Sequence, residues 1–401
     1  MTTNFHITVK PILFVSKCMG LIDISYTVEP SGFLVRNKNS NVLKLLEIAR
    51  IIVLLICTRI YFNQYEPEIH ILQIINIVQF WNTIIAARLS TILIIKFING
   101  IVEFDQTITP LSTNMLIPQR TWTKKHWNTI LISLFTYFIG FKFLQIYFNS
   151  FKIGNIALRI QHLIFTVPFI MDYVITISSC FFLQNMYARF QTLNDIWKCL
   201  PADLVPISDQ WTHIEIVVFM ENTRLLHAEL CDLLKMFTLG YGRMLLGLFI
   251  FSFINMLFSI YIIINNRALS GSYSTNNYSR ILPLMFNVQI ITFLMSIIIF
   301  ASFINEKRLK IISYLRLYRI SNLHFDIKRQ IKMFINQISV CDSDRISAFG
   351  FFEINLNLVT SILVLLISGI ITLIQMKDHP MILKLNNDTY SFFANFTSKK
   401  I

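Results

Sequence analysis

Charge is scarce in this chain: 14% of its 401 residues are Asp, Glu, Lys or Arg, while 54% are hydrophobic. A soluble domain of this length could not hide that much apolar surface in one core, so a water-soluble globular fold is excluded. Glycine and proline are also sparse, at 11 and 10 residues against 36 Phe. The apolar runs are long and unbroken, without the alternation that a β-barrel needs. Gly-rich phosphate loops, HExxH motifs and nucleophile elbows are absent, and the eight histidines are scattered. No enzyme chemistry, cofactor or metal site is expected. His213 and Glu215 stand together on a polar stretch and read as solvated rather than catalytic. Cys18, Cys57, Cys180, Cys199, Cys231 and Cys341 lack CxxC spacing and read as free thiols.

What is present is a succession of membrane-length apolar segments. They predict an all-α polytopic membrane protein with seven transmembrane helices. The spans are drawn over Leu43–Phe62, Ile71–Phe97, Trp127–Asn149, Gln161–Leu183, Met244–Ile264, Leu282–Asn305 and Phe352–Met376. No cleaved signal peptide is expected, because the apolar core from Ile12 to Val15 is too short and Lys17 interrupts it. Arg36, Lys38 and Lys44 precede the first span, and the segment from Gln64 to Glu68 after it carries no base. The positive-inside rule then places the N-terminus in the cytoplasm and, after seven crossings, the C-terminus outside. The segment before the last span fits this: Lys307, Arg308, Lys310, Arg316, Arg319, Lys328, Arg329, Lys332 and Arg345 fall inside. The net charge of +13 thus reflects inner loops, and no nucleic-acid-binding module accompanies it. Sequons at Asn277, Asn387 and Asn395 all fall in segments placed outside, where glycosylation is possible.

Two inner segments look amphipathic. Thr212 to Phe237 places Ile216, Val217, Met220, Leu225, Leu226 and Leu230 at helical spacing. Lys307 to Ile338 sets Ile311, Ile312, Leu315, Leu317 and Ile320 among its bases. They fit either helices on the membrane surface or a stalk where subunits meet. No internal repeat is visible.

Polar residues inside spans mark packing contacts or functional sites. Span 2 carries Gln73, Asn76, Gln79 and Asn82. Lys142 of span 3 and Asp172 of span 4 lie close enough in depth to pair. Phe80, Trp81, Tyr137, Phe141, Tyr147, Phe165 and Phe169 could wall a pocket for a small organic molecule. Span 7 differs, because Ser368, Thr372, Gln375 and Met376 recur at steps of three and four and so share one helix face. Such a stripe suits a narrow water-filled path for partly hydrated cations, or else a helix–helix interface with the hydroxyls bonded back to carbonyls.

At span 7 the sequence resembles the insect gustatory receptor family of the insect chemoreceptor superfamily. Phe351-Phe352, Asn355 and Gln375 stand at the spacing of that family's C-terminal signature. Ser368 replaces its Thr, Gly369 its Tyr, Met376 its final Phe, and Val364 a frequent Gly. The resemblance implies a tetrameric ligand-gated cation channel in the plasma membrane of a sensory neuron dendrite. It implies a homo- or hetero-tetramer with related receptors, surrounded by lipid, opened by a small-molecule tastant and passing cations. Carried onto this chain, it makes 1–42 a cytoplasmic N-terminal segment and 43–305 six helices with the ligand pocket. It makes 306–350 a cytoplasmic anchor, 351–376 the pore helix and 377–401 an extracellular tail. Thr372, Gln375 and Met376 would line the narrow pore, with Ser368 on the same face. The ligand-binding candidates are Gln73, Asn76, Phe80, Tyr137, Phe141, Phe165 and Phe169. The competing readings are a G-protein-coupled receptor and a solute transporter. The first lacks the Asp-Arg-Tyr and Asn-Pro-x-x-Tyr motifs, and the second lacks repeats and broken helices.

Overall fold

The computed structural model describes residues 4–36, 41–63, 70–114, 133, 136–141, 143–144, 167–198, 200, 212–269, 277–317, 323–341 and 345–376. The elements in chain order are α1 (Asn4–Cys18), β1 (Tyr26–Val28), β2 (Leu34–Arg36), α2 (Asn41–Asn63), α3 (His70–Asn114), α4 (Val167–Trp197), α5 (His213–Leu269), α6 (Asn277–Leu317), α7 (Phe325–Cys341) and α8 (Leu356–Met376). Among the described residues four helices are long and apolar enough to cross a membrane, within α3, α5, α6 and α8. The α2 and α4 helices coincide with drawn spans 1 and 4; Glu47 and Arg50 lie on α2, and Asp172 and Arg189 on α4. Most of span 3 lies outside the described residues.

Several helices outrun the membrane-length segments. On α3 the helix continues past Phe97 because its apolar face continues, with Ile101, Val102, Phe104 and Ile108 all buried. Its polar Asp105 meets Arg189 of α4, whose Nε and Nη2 donate to the two carboxylate oxygens at 2.9 and 2.6 Å. The Arg189 guanidinium also lies over the Phe5 ring of α1, at 5.3 Å from its centroid. Within the core, Phe97 of α3, Phe182 of α4 and Phe237 and Tyr241 of α5 form one aromatic cluster, with centroids 5.0–5.6 Å apart.

The N-terminal segment has a structure that its short apolar core did not predict. Phe5, Val9, Ile12 and Leu13 are buried along α1, and Phe5 stacks on Phe181 of α4. The β1–β2 hairpin pairs Thr27 with Val35, and Asn99 of α3 docks it. The Asn99 amide bonds both Leu34 N–H and Leu34 C=O, as a neighbouring strand would.

The described parts of both amphipathic inner segments pack apolar residues within the chain, while Ile320 and the Leu317 side chain lie outside the described residues. The apolar face of α7, namely Ile327, Ile331, Phe334 and Ile338, is buried, while Arg329 and Lys332 face outward. Phe334 packs edge-on against Trp197 of α4 and His227 of α5. Gln337 and Arg224 exchange hydrogen bonds between α7 and α5, and Asn194 of α4 donates to Lys307 C=O of α6 at 2.8 Å. This bundle covers the α7 face that a membrane surface would otherwise have to cover. Of the apolar residues named for the α5 segment, Leu225 alone is strongly exposed, at 51%.

Two units emerge. The first comprises the chain to Phe251 together with Thr292–Leu356; the second comprises Ser252–Ile291 and the chain from Asn357. In the first unit, the Phe-Phe signature precedes α8 in a hairpin rather than lying within the helix. Ser347 pairs with Glu353, Ala348 N–H donates to Phe352 C=O, and Ile354 N–H to Ile346 C=O. Phe349 and Gly350 turn the chain with φ of 50° and 79°. The hairpin seats on α5, where Phe352 meets Phe249 edge-on and Arg243 lies over the Phe349 ring. Gly242 permits this approach, because a Cβ there would stand 2.8 Å from Phe349 N. Gly242→Ala is therefore expected to destabilise the protein by about 1–3 kcal/mol, since backbone must move. A thermal melt of detergent-solubilised protein checks this, and an unchanged midpoint would contradict it.

Candidate functional site

The polar groups of the apolar helices are not left alone in the fold. Gln79 of α3 donates from Nε2 to Asp172 Oδ1 of α4 at 2.6 Å. An acid inside an apolar helix is costly unless partnered, and this amide supplies a partner. Lys142, expected to pair with Asp172, lies outside the described residues. Next to Asp172, Tyr173 stacks on Phe138 with centroids 4.3 Å apart and approaches Phe293 of α6 at 6.2 Å. The Tyr173 hydroxyl is buried and meets no hydrogen-bond partner among the described residues. Apolar ring walls with one unused donor–acceptor and a nearby amide–acid pair are features of small-molecule sites. Sequence reading missed Tyr173, Phe138 and Phe293, because nothing in their spacing separates them from the many other aromatics.

The named ligand candidates distribute unevenly. Tyr137 and Phe141 lie together on the helical turns near Phe138, with centroids 6.2 Å apart. Phe80 is fully buried against Trp81. Asn76 lies one turn before Gln79 on α3. Phe165 and the side chains of Gln73 and Phe169 lie outside the described residues. A cavity of ≈ 360 Å³ opens elsewhere, between α2 and α3, walled by Ile51, Leu54, Trp81 and Ile84 beside Gly20. Its charged rim is already engaged: Glu47 bonds both Arg50 and Arg88, and Arg50 also donates to the carbonyls of Lys17 and Ile22.

The second unit holds α8. Only 6% of its apolar window is buried within the chain, against 39–50% for the windows of α3, α5 and α6. Ser368, Thr372 and Gln375 are all exposed. Ser368 Oγ donates to Leu365 C=O at 3.0 Å and Thr372 Oγ1 to Ser368 C=O at 2.9 Å. The hydroxyl protons are thus satisfied internally, and each oxygen keeps a lone pair for water or a cation. The Met376 side chain lies outside the described residues. Gly369 faces Leu257 of α5, where a Cβ would come within 3.0 Å of the Leu257 methyl. The missing Cβ admits Leu257 against the helix at this point. Of the sequons, Asn387 and Asn395 lie outside the described residues; Asn277 opens α6, and its side chain lies outside them. Cys18, Cys57, Cys180 and Cys231 form no disulfide among the described residues.

The chain matches the family model for 7tm chemosensory receptors over residues 9–379. No curated protein matches it. Two solved structures are similar in fold. The insect olfactory receptor OR5 from Machilis hrabei is 12% identical and superposes with a TM-score of 0.58, covering 92% of this chain and 99% of its own. The same receptor in complex with eugenol is 12% identical with a TM-score of 0.53, covering 93% and 100%.

Proposed function

Because the chain belongs to the 7tm chemosensory receptor family, we propose that it is a gustatory receptor, a ligand-gated and weakly selective cation channel subunit. In this reading seven helices cross the plasma membrane of a sensory dendrite, with the N-terminus inside and the tail after Met376 outside. Four subunits, identical or related, surround a pore to which each contributes α8. A small organic tastant binds near Tyr137, Phe141 and Tyr173, and its higher affinity for the open state shifts the equilibrium. The eugenol complex of the olfactory receptor supports a small organic ligand for this fold. The gustatory assignment rests on the Phe351-Phe352, Asn355 and Gln375 signature. The reading is carried by α8, an apolar helix almost unburied within its own chain whose exposed Ser368, Thr372 and Gln375 share one face. Lipid can cover its apolar faces, and facing copies around water suit the polar one.

The test is a recording from cells expressing the full chain, with and without a related receptor, challenged by a panel of tastants. Gln375→Glu adds a carboxylate to the proposed permeation path and is expected to raise divalent over monovalent permeability. Gln375→Lys is expected to reduce cation current. Unchanged reversal potential and conductance in both would remove Gln375 from the pore. An epitope after Met376 is expected to stain on intact cells, with glycan at Asn387 and Asn395. Staining only after permeabilisation would return the G-protein-coupled and transporter readings.

A further inference from the structure

The start of α5 is held by a reciprocal cap. Thr212 N–H donates to the Glu215 carboxylate at 2.8 Å, and Glu215 N–H returns a bond to Thr212 Oγ1. Thr212 thereby holds the Glu215 carboxyl below the usual carboxylate range, chiefly through that backbone bond. This cap fixes the direction of His213, the first residue of the helix.

Helices α5 and α7 run parallel, since His213 stands beside His324 just as Arg224 stands beside Gln337 farther along. Their N-termini therefore lie together. At this point three ligand-type groups converge from two segments of chain. Nε2 of His213 is 3.7 Å from Asp326 Oδ2, and Nδ1 of His324 is 3.5 Å from the same oxygen. One donor atom from each of the three residues lies within 4.8 Å of the other two. The imidazole centroids are 4.0 Å apart with the rings at 67°, an edge-to-face arrangement. Nε2 of His213 is buried and has no hydrogen-bond partner among the described residues.

A tetrahedral zinc ion with bonds of about 2.0–2.1 Å sets its ligand atoms about 3.3–3.4 Å apart. Both His–Asp separations are within a few tenths of an ångström of that edge. The remaining His–His edge closes by rotation of His324, whose side chain is 60% exposed. Two imidazoles with one carboxylate form a donor set that suits zinc and its neighbours in the first row, and it leaves a fourth position for water. The adjoining helix N-termini bring partial positive charge that opposes a cation. Glu215 and Asp326 in the two first turns offset it.

We propose that His213, His324 and Asp326 form a binding site for a divalent transition ion of the zinc class, which clasps the N-termini of α5 and α7. The sequence contained no such spacing, because the two histidines are separated by the remainder of α5 and all of α6. His213, read there as a solvated residue, finds its partners only in the folded bundle. The clasp does not depend on the channel reading.

The test uses the full chain purified in detergent with a histidine-free tag, stripped by EDTA and titrated with Co²⁺ and then Zn²⁺. One Co²⁺ per chain is expected, with the visible absorption of a tetrahedral ion that Zn²⁺ abolishes. His213→Ala, His324→Ala and Asp326→Asn are each expected to weaken binding roughly tenfold or more. Asp326→His, which keeps a ligand, is expected to retain it. The metal-free melting temperature identifies any variant that fails to fold, and two of the three suffice to decide. No tetrahedral cobalt spectrum in the wild type overturns the proposal. So does an unchanged affinity in His213→Ala and His324→Ala, which would place the ion elsewhere.

Discussion

Arg189→Ala is expected to destabilise the receptor by about 3 kcal/mol or more, the range for removing one partner of a buried ion pair. Arg189 binds both Asp105 oxygens, and the two side chains are only 10% and 17% exposed. Its loss leaves the Asp105 carboxylate enclosed without its charge partner and also removes the contact with Phe5 of α1. Arg189→Lys keeps the charge but not the two-pronged geometry and is expected to recover part of the loss. The double variant Asp105→Leu/Arg189→Met removes both charges and is expected to be far milder than Arg189→Ala alone. Thermal melts of the solubilised variants, arranged as a double-mutant cycle, give the coupling. Independent, additive effects would show that the pair contributes little.

Trp197→Ala is expected to cost about 3–5 kcal/mol, as large-to-small changes in packed cores do. Trp197 is 1% exposed at the end of α4, with its ring edge-on to Phe334 of α7. Its removal opens a void where α4, α5 and α7 meet, so α7 is the element expected to loosen first. Hydrogen exchange on residues 325–341 should rise before that of α3. The informative contrast is Trp197→Phe. The indole N–H meets no acceptor among the described residues, so that change discards an unpaired buried donor while keeping most of the ring packing. A loss in Trp197→Phe as large as in Trp197→Ala would mean that the N–H has a partner after all.

The expected membership of the insect chemoreceptor superfamily agrees with the family match and the olfactory-receptor fold, and the helical membrane architecture was legible for a simple reason. Hydrocarbon-length apolar runs admit few folded solutions, because every backbone polar group must be satisfied within its own segment. The α8 stripe was legible too, since Ser368, Thr372 and Gln375 lie on one helix and period alone puts them together. Residue chemistry also marked Asp172 as a group in need of a partner.

Which partner it takes was settled only by packing. Asp172 meets Gln79, and Tyr173 meets Phe138 and Phe293, through contacts between helices far apart in the chain. The amphipathic α7 could have lain on a membrane or against protein; the apolar ends of α4 and α5 beside it decided for protein. The Phe351–Phe352 signature was visible as letters, but its hairpin depends on φ values above zero at Phe349 and Gly350 and on the missing Cβ of Gly242 across the contact. Likewise His213 had no visible role until α7 brought His324 and Asp326 beside it. Periodicity and hydropathy are properties of a single segment and can be read along the chain. Pair contacts between segments depend on how the helices pack, and only the tertiary structure fixes them.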